Sequence, residues 1–379
     1  MSGASARNVD VVVVGLGVLG ASALHQLALD GVDVLGLEQF QPGHANGSSH
    51  GRSRTLRFLY HASEYYELLP AAVQGWRDLE AATGRRLYWP CGTLFFGRPG
   101  NRQLASNGAL ARAQGLQVDH VTERESARRW PSFAMPPGSE GVFLPNGGML
   151  DGDACVSALL AEAMVAGATV LAGTTVTRMD FEADRPLVQT TAGPIRARHI
   201  VVSAGAWTRA LLSHLALPIR VTRQSFYTYR PSDPSVVSPE RMPVWCDYEA
   251  SLYGFPDHGP GLKIADDNPG HEVDPVAVDR SLDRAEARRL STYMAERFPT
   301  VVLEEPEAGT CLYTLSPDDD FLLGPVPGAP ISLAVGLEHG FKFAPVIGRI
   351  LADLATTGIS RYPINHFRVD RFVHSGIRA

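Results

Sequence analysis

The sequence is short of lysine. Of its 34 basic side chains only Lys263 and Lys342 are lysines, and every other is arginine. Arginine in place of lysine, with abundant alanine, is the mark of G- and C-rich codons. A chain that has shed lysine elsewhere is expected to need the two it keeps, because a guanidinium fork cannot mimic a compact ammonium. Cysteine is scarce too. Cys91, Cys155, Cys246 and Cys311 lie far apart with no C-x-x-C pair, so neither a metal site nor a disulfide framework is signalled. A reducing, cytoplasmic setting fits best. There is no basic block, and the formal charge is −6, so nucleic acid is not an expected partner. The long apolar run "VVVVGLGVLGASALHQLAL" is broken by glycines, His25 and Gln26, and no cleavage pattern follows it. It is expected in a soluble core, not in a signal peptide or membrane span.

What is present is a chain of 379 residues, 45% apolar and 20% charged, enough for two domains folded together. The segment "DVVVVGLGVLGASALHQLALDGVDVLGLE" reads as strand, glycine turn, helix and strand. Gly15, Gly17 and Gly20 complete G-x-G-x-x-G: one for the tight turn, one for pyrophosphate approach, one for helix-on-strand packing. Glu38 ends the second strand, where a carboxylate accepts ribose hydroxyls. The fingerprint predicts a dinucleotide and leaves NAD and FAD equally open.

No acid occurs between Glu38 and Glu64, yet that interval holds His44, His50, Arg52, Arg54, Arg57 and His61. Arginines in a glycine-bearing loop after a nucleotide-binding unit suit anions such as pyrophosphate or a substrate carboxylate. Arg54 and Arg57 are three apart, so a helical turn would place them on one face.

With "HGRSRTLR" (His50 to Arg57) after the glycine motif, the first eighty or so residues resemble the monomeric sarcosine oxidase and N-methyltryptophan oxidase group. These are amine-oxidising flavoproteins of the D-amino-acid-oxidase-like superfamily, and the resemblance implies FAD. It also implies an α/β fold: a Rossmann-like FAD-binding domain of residues 1–85, 150–215 and 305–379. A discontinuous, antiparallel-sheet substrate domain, α+β in class, would take 86–149 and 216–304. The aromatic-rich stretches "RQSFYTYRP" and "MPVWCDYEASLYGFPD" fit such a sheet carrying a pocket. Asp151 and Asp153 are expected to cap a helix ending near Gly167.

Residue by residue, the resemblance places Val176 near the adenine, and Gly205 and Trp207 along the cofactor backbone. His339 and Gly340 would lie beside it, and Arg54 beside the flavin ring. Lys263 would stabilise charge developing on dioxygen. Arg57 and Lys342 would hold the substrate carboxylate, with Tyr313 facing the substrate cavity. Cys311, in "CLYT", matches a cysteine that bonds covalently to the 8α-methyl of FAD. One position departs from the pattern: Asp267 stands where many members have histidine, which argues for a substrate other than plain sarcosine.

The function so implied is oxidation of a secondary amine, an N-methyl or cyclic amino acid, by a monomer. Hydride would pass to flavin N5, the imine would hydrolyse, and dioxygen would be reduced to hydrogen peroxide. Two alternatives keep the fold: a biosynthetic C–N desaturase of a cyclic imino acid, and a dehydrogenase passing electrons to a partner protein. A non-catalytic flavin-binding module is the reading from another class.

Overall fold

A β-branched run with no polar alternation needs cover on both faces, and Val11–Val14 finds it inside a six-stranded sheet. The computed structural model describes residues 6–181, 185–335 and 339–372. Val34–Leu37 and then Thr169–Leu171 run parallel on one side of the valine strand. His199–Val202 and then Ile331–Val335 run parallel on the other, and antiparallel Leu322–Pro325 closes the edge. Helix Val18–Leu29 packs against helices Gly152–Val165 and Ala344–Thr357, whose inward residues join one apolar core. This is the Rossmann-like unit expected from the glycine motif, assembled from three distant stretches of chain.

The second unit is an eight-stranded sheet in the order Glu307–Leu315, Arg220–Tyr229, Leu262–Asp266, Leu252–Phe255, Val244–Asp247, Thr93–Gly97, Glu140–Leu144, Asp119–Thr122. Its neighbours are antiparallel except Val244–Asp247 beside Thr93–Gly97, which is parallel. Helix Arg284–Arg297 buries Leu290 and Met294 in a cluster with Trp245, Tyr227 and Ile264 on one face. Alternation then sends Tyr253, Phe255, Lys263 and Ala265 to the opposite face, where they line a cavity.

Grouping all of 305–379 with the nucleotide-binding segments needs an amendment. Glu307–Leu315 pairs along nearly the whole of Arg220–Tyr229, from Leu315 opposite Arg220 to Glu307 opposite Thr228. A nine-residue ladder of backbone hydrogen bonds keeps this strand in the large sheet; only the chain after it returns to the parallel one. Among the described residues no helix is long and apolar enough to cross a membrane.

Candidate active site

The turn between Val14 and Val18 is built from close approaches. Gly15 has φ +87°, and a Cβ there would lie 2.7 Å from the Ser203 carbonyl oxygen. A Cβ on Gly20 would lie 1.8 Å from the carbonyl oxygen of Gly15, so this glycine serves helix packing. Gly17 at the N-cap of the helix that follows has no side chain and the first turn holds no acid, so the N–H groups beyond that of Val18 are left for an anion. Glu38 is buried, and its carboxylate accepts the backbone N–H of Leu16 at 2.9 Å and of Phe40 at 3.0 Å. Carboxylate oxygens retain further lone pairs for hydroxyl donors.

Gly15, Gly17, Glu38, His50, Arg54, Val176, Gly205, Trp207 and Gly340 all border one cleft of about 1070 Å³. Trp207 also meets Phe40 edge-on, with ring centroids 5.4 Å apart. Ser49 is a member that sequence reasoning missed: its hydroxyl accepts the Val18 N–H at 3.0 Å, tying the loop to the helix start. A glycine-lined floor, an open helix terminus and an acid at the strand end suit FAD.

A second cavity, of about 90 Å³, adjoins the cleft and shares Ser48, Arg54 and Phe341 with it. Arg57, Lys263, Asp267, Cys311, Tyr313, His339 and Lys342 line it. Cys311, His339 and Lys342 therefore border this cavity and not the cleft. With Arg54, four basic side chains face a single carboxylate, so the cavity favours anions.

Arg54 and Arg57 share no helical turn. Arg54–Leu56 is a strand, paired Arg54 to Leu150 and Leu56 to Gly148, and chain pairing rather than helical spacing brings both arginines to the cavity. The Arg54 guanidinium donates to the carbonyls of Ser53 at 2.7 Å, Ser48 at 2.8 Å and His50, and lies 5.5 Å from the Phe341 ring centre. A cation held by neutral carbonyls keeps its charge available to a ligand. Nη2 of Arg57 lies 2.9 Å from Nε2 of His339. Burial, then Arg57 and Lys342, hold His339 well below its ordinary pKa, so the ring is neutral.

Lys263 is 8% exposed. Its ammonium sits 4.4 Å from the Phe226 ring centre and 5.2 Å from that of Phe255, and donates to the Ser53 carbonyl at 3.4 Å. Burial, then Arg54, lowers its pKa to about 7. An unfolded lysine titrates near its ordinary value, so between about pH 7 and 10 the unfolded chain binds more protons than the folded one. Stability of the flavin-free protein is therefore expected to rise with pH across that window. Thermal melts at several pH values check this, and Lys263→Met should flatten the slope; an unchanged slope would remove lysine as its cause.

Alternation also separates the two neighbouring acids. Asp266 turns outward, 2.7 Å from Arg289, whereas Asp267 follows the parity of Lys263 and Ala265 into the cavity. Tyr253 was not singled out from the sequence, yet its hydroxyl is 3.0 Å from that of Tyr313. Only strand register, with Tyr253 opposite Ala265 and Phe255 opposite Lys263, reveals it. Asp151 caps its helix, accepting the Ala154 N–H at 3.0 Å, but Asp153 instead accepts the Gly51 N–H at 2.7 Å. The helix start thus anchors the cationic loop.

Residues 10–354 match the family described as FAD dependent oxidoreductase. Monomeric sarcosine oxidase of Streptomyces avermitilis is 33% identical, over 94% of this chain and 96% of its own. N-methyl-L-tryptophan oxidase of Salmonella arizonae is 29% identical, over 96% of this chain and 99% of its own. Among solved structures, the open form of NikD, an unusual amino acid oxidase essential for nikkomycin biosynthesis, superposes with a TM-score of 0.86. It is 29% identical and covers 96% of this chain and 97% of its own.

Proposed function

The chain belongs to the FAD dependent oxidoreductase family, and from that premise we propose that it oxidises a secondary amine bearing a carboxylate, an N-methyl or cyclic amino acid. The observation that carries this reading is the second cavity, where Arg57 and Lys342 offer cations beside the wall shared with the nucleotide cleft. Bound FAD supplies a two-electron acceptor at N5 for hydride from the carbon next to nitrogen. The residues do the rest. Arg57 and Lys342 hold the carboxylate, which fixes the substrate's position. The Tyr253–Tyr313 hydroxyl pair offers a hydrogen-bonding wall. Lys263, buried against Phe226 and Phe255, presents a cation to charge developing on dioxygen as peroxide forms. Arg54 favours an anionic reduced cofactor. A substrate that arrives as neutral amine needs no general base, and the imine hydrolyses after release.

An anaerobic panel of amines, read by bleaching of the flavin absorbance, tests the reading. Bleaching by N-methyl or cyclic amino acids supports it; a flavin that no carboxylated amine bleaches sinks it. Asp267 favours a second reading, a biosynthetic desaturation of a cyclic imino acid. An acid lining an anion-attracting cavity disfavours a small plain amino acid and suits a substrate with a further donor or cation. Product mass separates hydrolysed from unhydrolysed outcomes.

Cys311 is read as the attachment point of the cofactor. It is a free thiol in the cavity wall; burial raises its pKa, and Arg54 and Lys263 oppose that rise. Acid-precipitated wild-type protein is expected to stay yellow and Cys311→Ser protein to turn white, with the flavin in the supernatant. A white wild-type pellet would end this part of the proposal.

A further inference from the structure

Segment 268–283 forms no helix or strand, yet it is fastened at several points. Glu272 bridges to Thr222, and Val273 and Val278 pack against the cluster of Ala206, Val221 and Leu312. Arg223 then grips the segment on both sides of one residue, donating to the carbonyls of Asp279 at 2.6 Å and Ser281 at 2.7 Å. The residue between is Arg280. Its guanidinium reaches the loop of the nucleotide-binding unit, donating to Asn46 O at 2.7 Å and Ala45 O at 3.2 Å, and also donates to Thr310 O of the large sheet at 3.2 Å. Ala45 and Asn46 belong to the loop whose neighbours His44, Gly47 and Ser48 border the nucleotide cleft. Thr310 immediately precedes Cys311. On the far side of Cys311, the carbonyl of Leu312 accepts from the Ser48 hydroxyl.

The carbonyls on both sides of the thiol are thus tied to one loop by three side chains: Arg280 and His50, whose Nε2 lies 3.1 Å from Thr310 O, on one side, and Ser48 on the other. Strand pairing alone does not require this, since Glu307–Leu315 already has a full ladder with Arg220–Tyr229. We propose that Arg280, acting with Ser48, is a positioning residue for joining the cofactor to Cys311, holding the thiol in register with the loop that borders the cofactor. This rests on the reading of Cys311 given above. The step it serves forms a bond from sulfur to the 8-methyl carbon of the flavin. The thiol and the methyl group each give up a proton, two electrons pass to the flavin ring, and dioxygen accepts them to give hydrogen peroxide. Because sulfur must reach one carbon from a fixed direction, a small loss of register costs rate without costing affinity. An arginine suits the task, because its fork spans several carbonyls at once and a lysine cannot.

The test uses full-length protein produced without riboflavin and mixed with FAD in air, with acid-stable flavin followed over time. Arg280→Ala and Ser48→Ala are each expected to slow attachment by about tenfold or more, and in Arg280→Ala the dissociation constant for FAD before attachment stays near the wild-type value. Arg280→Lys should recover only part of the rate. Arg209→Ala, which removes an exposed 3.5 Å pair with Glu272 on the same segment, should attach normally and so separates positioning from general loosening. Attachment of Arg280→Ala at the wild-type rate overturns the proposal. If that variant does not fold, Ser48→Ala decides, slow attachment supporting the role and wild-type attachment overturning it. Wild-type protein that forms no acid-stable flavin removes both the Cys311 reading and this role, whereas normal attachment in the variants removes the role alone.

Discussion

Lys263→Met is expected to slow reoxidation of the reduced protein by air about 10²- to 10³-fold, the range for losing one preorganised electrostatic group. Anaerobic bleaching by substrate should change little. The asymmetry follows from where the ammonium sits. Phe226 and Phe255 flank it, and among the described residues its one hydrogen bond is to the Ser53 carbonyl at 3.4 Å, so it is poorly solvated and poorly paired in the resting cavity. A cation in that condition binds strongly to any negative charge that appears beside it, because little must be broken first. Methionine has a similar length and no charge, and it removes a costly buried amine, so folding should not suffer. Stopped-flow absorbance of reduced protein mixed with aerated buffer gives the rate directly. Wild-type reoxidation in the variant, or an equal loss in bleaching, would show that Lys263 does not act on dioxygen.

The sequence carried the nucleotide half of the site because local chemistry carries it. A valine run, glycines at fixed spacing and Glu38 at a strand end are each legible within thirty residues, and Val14, Gly15, Gly17 and Glu38 border one cleft. The two lysines were legible for another reason, their rarity, and both line the second cavity. What escaped depends on register between distant strands. Tyr253 meets Tyr313 across sixty residues, and Ser48 meets Leu312 across more than two hundred and sixty. No local pattern marks either pair. The arginine spacing misled for the same reason: Arg54 and Arg57 look like helix neighbours until the pairing of Arg54–Leu56 with Gly148–Leu150 fixes them as strand. The acids at 266 and 267 could be counted but not told apart before the parity of their strand was known.

Arg57→Met is expected to lower kcat/KM for a carboxylated amine by about 10²- to 10³-fold, the loss of a buried charge-assisted contact of roughly 2–5 kcal/mol. Lys342 remains in the cavity, so binding should weaken rather than vanish and KM should rise. If the carboxylate also orients the carbon that gives up hydride, kcat falls with it. The amide of the same amine separates these effects. It lacks the charge that Arg57 would meet, so the substitution should cost it far less, and the difference between the two substrates isolates the pair. Lysine at the position is not expected to rescue, because a point charge on a flexible stem cannot reproduce a fork already aligned on His339 at 2.9 Å. Removing Arg57 also withdraws one of the cations that depress His339. Its pKa should move up in the variant, with burial still opposing protonation. Equal losses for the acid and its amide would place the substrate carboxylate elsewhere, and Lys342 alone would then be left as its anchor.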